Sequence, residues 1–275
     1  MICRNKRTLI PFAASLLAAG SLAASASAGA RTFNVTLDGL QEVPPVVTSG
    51  IGSCVVSLDD VTGDVKVSGT YSNLSSDAIS AHIHGAAPPG QNAGVIVSLM
   101  VSGGKSGTIT GSGTLTAQQL ADMLAGLTYL NCHSVMHSTG EIRGQICPTN
   151  ASWTNYGMGW PGTLGIPQFT ASADPIQGTT ITLNLDNSMG FNTIGILFIG
   201  LARANISTKL GGTILVVPIL VVPLGIPAGG LPLPGPISND PAFCGLTVDL
   251  QVLESDSGAS KGVSFTPGLE LVFGS

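Results

Sequence analysis

The stretch "CVVSLDDVTGDVKVS", Cys54–Ser68, decides how the chain is read. A short run, Cys54-Val55-Val56-Ser57-Leu58, is followed by a turn at Thr62-Gly63-Asp64. A second run, Val65-Lys66-Val67-Ser68, comes next. Two strand-length, β-branched runs on either side of a Gly/Asp turn predict an antiparallel hairpin. The same pattern recurs outward from it. Phe33–Leu37 alternates apolar and polar residues, and Ser106–Leu115 is a Gly/Thr/Ile strand.

One helix interrupts the strands. Thr116 is placed to cap it and Gln119, three residues on, completes a capping box. Leu120, Met123 and Leu124 share a helical face, and Gly126 ends it. Strands resume at Tyr129–His133 and Gly140–Cys147. Beyond the turn-rich segment that holds both tryptophans, strands are predicted at Thr179–Leu185, Ile194–Leu201, Thr213–Val222, Cys244–Leu253 and Val263–Phe273. The expected fold is all-β. An antiparallel β-sandwich with one short helix spans 31–147, a linker spans 148–162, and a second β-sandwich-like domain spans 163–275.

The first 28 residues read as a secretory signal peptide. Arg4, Lys6 and Arg7 precede an apolar stretch that ends near Ala26-Ser27-Ala28, which predicts cleavage near Ala28. Loss of those three cations leaves seven Lys+Arg against fifteen Asp+Glu, a net charge of −8. That balance argues against nucleic acid as a partner, because phosphate binding needs a basic face. The expected location is secreted, periplasmic or cell-surface, and the expected partner is an extracellular protein or surface component. The run "ILVVPILVVPLGIPAGGLPLPGP" looks membrane-like, but its prolines break any continuous helix. Buried strands joined by turns fit it better than membrane insertion.

Four cysteines follow the leader: Cys54, Cys132, Cys147 and Cys244. In an oxidising compartment they pair in one of three ways, or form one disulfide and leave two buried thiols. If all four pair, one bond must join the two halves.

The histidines carry the chemistry. In "AHIHG" an extended chain sends His82 and His84 to one face and Ile83 to the other. Asn131 and His133 share a face opposite Cys132, and Glu141 and Arg143 share one opposite Ile142. Should these faces converge, His82, His84 and His133 offer three imidazoles to zinc or copper. Asn131, Glu141 and Arg143 would form a polar cluster around them, with Glu141 as a fourth ligand or as an acceptor that fixes a tautomer. The competing reading is a metal-free network in which Glu141 pairs Arg143. His137 falls in a loop. Gly104-Lys105-Ser106 lacks the first glycine of a phosphate loop. Asp59, Asp60 and Asp64 read as a solvated acidic hairpin or a weak calcium site.

Four blocks resemble a chordin-type (CHRD) domain: "LDGLQEVPPVVTSGIG", "AHIHGAAPPGQNAGVIVSL", "GTITGSGTLTAQQL" and "YLNCHSVMHSTGEIRGQI". The likeness runs from Thr32 to about Ile146. Cys132, Ser134 and Ser138-Thr139-Gly140 depart from the family pattern. The resemblance implies a secreted β-sandwich module with a binding or structural role. The His-x-His strand is also similar, more distantly, to copper/zinc superoxide dismutase sandwiches. That likeness implies a metal-binding alternative, redox-active or hydrolytic. No complete catalytic constellation is present, so the expectation is a non-catalytic module.

Overall fold

A computed structural model describes residues 29–275. The signal-peptide reading, cleavage near Ala28 included, falls on residues 1–28 and so lies outside the described residues.

The first unit is built from β1 (Ala30–Asp38), β2 (Ile51–Asp59), β3 (Asp64–Ser72), β4 (Ala78–Gly85), β5 (Val95–Gly103), β6 (Gly107–Thr114), β7 (Thr128–Ser134) and β8 (Ile142–Gln145). The quoted hairpin is β2–β3, and Gly63 takes the positive φ of 77° that its turn needs. The strands run antiparallel in the order β1-β2-β3-β6-β5-β4-β7-β8 and close into a barrel. Closure rests on one residue pair, Asp38 opposite Arg143. The expected two-layer all-β unit is thus joined along a narrow seam. Alternation fills its inside with Phe33, Val56, Ile83, Ile109, Leu130 and Ile142, each 0% exposed.

The helix α1 (Ala117–Leu124) forms as the capping box predicts. Thr116 Oγ1 accepts from the Gln119 amide at 3.3 Å, and Gln119 Oε1 accepts from the Thr116 amide at 2.9 Å. Met123 is its buried contact with the core.

The second unit holds β9 (Ser152–Tyr156), β10 (Phe169–Ala171), β11 (Thr180–Leu185), β12 (Thr193–Ser207), β13 (Thr213–Ile226), β14 (Leu231–Pro236), β15 (Thr247–Ser255), β16 (Val263–Phe265) and β17 (Gly268–Val272). One sheet runs β10-β11-β14. The other runs β13-β12-β15-β17-β9, with β16 paired to β15. Phe169, Leu185, Leu197, Val252 and Leu269 meet between them. Two details differ from the sequence reading. The segment 148–162 is not a free connector, because β9 pairs with β17. The single strand expected at Val263–Phe273 is split at Thr266-Pro267, where proline interrupts the ladder.

The proline-rich run forms β13 and β14. Pro232, Pro234 and Pro236 are spaced by two on the edge strand β14, so their missing N–H groups all face away from β11. No helix among the described residues is long and apolar enough to cross a membrane. Cys147 and Cys244 form the disulfide that ties the units together. Cys54 and Cys132 are free and buried, so the one-disulfide alternative holds.

Candidate metal centre

Three neighbouring strands, β4, β7 and β8, present polar side chains on their outer face. Register sets them in rows. His82, Asn131 and Arg143 stand opposite one another, as do His84, Tyr129 and Gln145. Ile83, Leu130, Cys132 and Ile142 take the other face and are 0% exposed, as parity requires.

The imidazoles meet. His82 Nδ1 lies 3.0 Å from His133 Nε2. One nitrogen from each of His82, His84 and His133 falls within 4.8 Å of the others. The site is sheltered rather than sealed: His84 and His133 are buried and His82 is half-buried. The loop after β4 lies across it. His84 Nδ1 reaches the Ala93 carbonyl at 3.0 Å, and the Arg143 guanidinium donates to the Gln91 carbonyl at 2.9 Å.

These partners set the tautomers. A carbonyl only accepts, so His84 Nδ1 carries a proton toward Ala93. His133 Nδ1 carries one toward Ser138 O, 3.0 Å away. His133 Nε2 is therefore a lone pair, and His82 Nδ1–H donates to it. Burial is the main cause holding all three imidazoles below the ordinary histidine range; in His82 the neighbouring His133 and His84 add to it. The site thus presents neutral rings with lone pairs near neutral pH.

A column of stacked groups supports the cluster. The Arg143 guanidinium sits 3.6 Å over the Tyr129 ring. Tyr129 stacks on His84 at 4.8 Å with an interplanar angle of 2°. Asn131 Oδ1 lies 3.1 Å from His84 Nε2, and the Glu42 carboxyl is close enough for Asn131 to lower its pKa. With Nδ1–H of His84 committed to Ala93, a neutral ring is satisfied when the Asn131 amide turns its NH2 toward Nε2.

Glu141 is not in this cluster. Its Oε1 accepts from Thr48 Oγ1 at 2.6 Å and from the Ser75 amide at 2.7 Å, and its Oε2 accepts from Ser75 Oγ at 3.0 Å. Burial raises its pKa, but hydrogen bonds from Ser134, Thr48 and Ser75 outweigh that and hold it below the usual value. Strand alternation fails there because β8 begins only at Ile142, after a bend in which Gly140 has φ 132°. Glu141 therefore pairs neither with Arg143 nor with a histidine; it ties two loops to the barrel end.

Glu42 is the carboxyl beside the cluster. It is 5% exposed, and its Oε1 has no hydrogen-bond partner. Burial pushes its pKa up to about 7, against the pull of Arg143. The sequence reading assigned it no role, although a lone acid in "GLQEVPP" was a signal. Tyr129 was missed too, and the parity that selects Asn131 and His133 would have found it. His137 sits half-buried in the turn beyond β7, outside the triad.

A search of curated proteins returned no match. A family model for the CHRD domain matches residues 33–146, which is the barrel with all three histidines. The chain therefore carries a CHRD domain at residues 33–146, followed by a second β unit.

Proposed function

We propose that this chain is a non-catalytic extracytoplasmic binding module whose barrel holds a transition-metal ion, zinc or copper, on His82, His84 and His133. The observation that carries the reading is the approach of three neutral imidazole nitrogens to within 4.8 Å of one another. Nitrogens on a tetrahedral ion with bonds of 2.0–2.1 Å stand roughly 3.4 Å apart, so small ring rotations bring these into range. His133 already has the arrangement of a ligand. Its Nδ1–H is held by a backbone carbonyl while Nε2 faces the site. His84 Nε2 joins by exchanging the Asn131 amide for the ion, and His82 by moving its proton to Nε2. A CHRD domain and a disulfide both accord with a location outside the cytoplasm.

A second reading is favoured by the partners each ring already has: the cluster is a hydrogen-bonded clasp for the Ala86–Gly94 loop. One experiment separates the two. Protein stripped with chelator is titrated with Zn2+ and Cu2+ and its bound metal is measured. About one ion per chain, lost in His82→Ala and in His133→Ala, is expected. A folded protein that binds neither ion at micromolar concentration leaves the clasp.

A further inference from the structure

Apolar surface is concentrated on one hairpin of the second unit. Between Asp186 and Asp240 the chain has no acidic residue, and Arg203 and Lys209 are its only charges. In the near half of the β12–β13 hairpin, the inner face enters the core through Leu197, Ile199, Val222, Leu224 and Ile226. The outer face does not. Ile194 is 69% exposed, Ile196 42%, Ile219 68% and Val221 50%. Register places Ile196 opposite Pro223, and Phe198 opposite Val221.

The far half of the same hairpin shows what the outer face of this sheet requires. Register shifts between Ile199 and Ile206 bend it back over β15. There the Leu215 amide donates to Gln251 Oε1 at 2.9 Å, and Tyr156 Oη donates to the Leu215 carbonyl at 3.0 Å. Gln251, on the outer face of β15, is 0% exposed as a result. The sheet is thus covered over β15 and left bare over β12 and β13.

We infer that the bare face is covered by a second copy of this chain, with two β12–β13 outer faces packed about a two-fold axis. The contact is through the face, not the edge. β13 is the last strand of its sheet, but Pro218 and Pro223 lack the N–H groups that would extend the ladder. The area fits a weak dimer. The outer-face residues, with Val217 beside them, expose roughly 550 Å2, so two copies bury on the order of 1,100 Å2, enough for a specific contact that dissociates on dilution. Charge also fits a self-complementary contact. The chain carries a net −5, but the face itself has no charge, so two copies meet without like charges in register. A lipid surface fits less well, because the hairpin offers Lys209 alone. Arg203 is bound to Glu270 at 2.6 Å.

Sedimentation equilibrium of the purified chain tests this. A dimer is expected at about 100 μM that dissociates on dilution, with Ile219→Glu and, separately, Ile194→Glu weakening it about 100-fold. Circular dichroism checks that each variant folds, and Val55→Glu on the barrel leaves association unchanged. Wild-type chain that stays monomeric at that concentration overturns the inference. So does a dimer indifferent to both substitutions in folded protein. Flotation of a monomer with phosphatidylcholine–phosphatidylglycerol vesicles would overturn it too, and would assign the face to lipid.

Discussion

Two buried acids, Glu42 of the barrel and Asp256 of the second unit, are held in opposite ways. In the barrel, Glu42 sits beside Asn131 and Arg143 with one oxygen unpartnered, and burial dominates, so its pKa rises. In the second unit, Asp256 is 0% exposed yet accepts from the Thr163 amide at 2.7 Å, Ser188 Oγ at 2.9 Å and the Gly258 amide at 3.0 Å. Burial raises it as well, but these bonds, with Thr163 Oγ1, outweigh burial and its pKa falls. Donor supply, rather than depth, decides the sign. A carboxylate surrounded by donors anchors loops. One left short of them stays close to neutral beside a cluster of imidazoles, where a site can form.

The largest test of the comparison cuts the units apart. Cys147→Ser removes a bond that spans 97 residues of sequence. The expected loss is about 4 kcal/mol, because the unfolded chain regains the entropy of a long loop. Calorimetry should then resolve two transitions, one for each unit. A single unshifted transition would show that contacts such as Asn239 to Asp38, 2.9 Å, hold the units without the disulfide.

A smaller effect separates the two carboxyls by pH. The folded pKa of Glu42 is raised from 4.5 to about 7, so its folded state binds the proton more tightly than the unfolded chain. The stabilisation is complete below about pH 4.5 and is lost as pH rises through about 7. Glu42→Gln should remove that slope, leaving the variant more stable at about pH 8 by on the order of 2–3 kcal/mol and similar to wild type at about pH 4. Asp256, with its pKa lowered, runs the other way: its contribution is present above the unfolded pKa and is lost as pH falls through the folded one. Urea melts across pH should show Asp256→Asn costing most near neutrality. Equal slopes in both variants would break the contrast.

The smallest effect stays within the barrel. Thr116→Ala deletes the capping hydroxyl of α1 and should cost about 1 kcal/mol in the barrel transition of the disulfide-free protein, leaving the second transition in place. A shift in both would mean that the units unfold as one.

How much was legible follows from the range of each cause. Strand alternation and helix capping act over two to four residues, so the β2–β3 hairpin, α1, the shared face of His82 and His84 and that of Asn131 and His133 could be read directly, whereas their meeting depends on the pairing of β4 with β7. The proline run could be read as strands for the same reason, since each proline locally forbids helix. Glu141 escaped because a bend at Gly140 breaks alternation one residue before β8 begins. Only tertiary structure decided the rest. The barrel closes through Asp38 and Arg143, β9 leaves the expected linker to pair with β17, and Cys147 finds Cys244 across 97 residues. Glu42, far from the histidines in sequence, comes to rest beside Asn131. Each of these depends on which distant segments pack together. Local spacing states which face a side chain takes, but not what that face will meet.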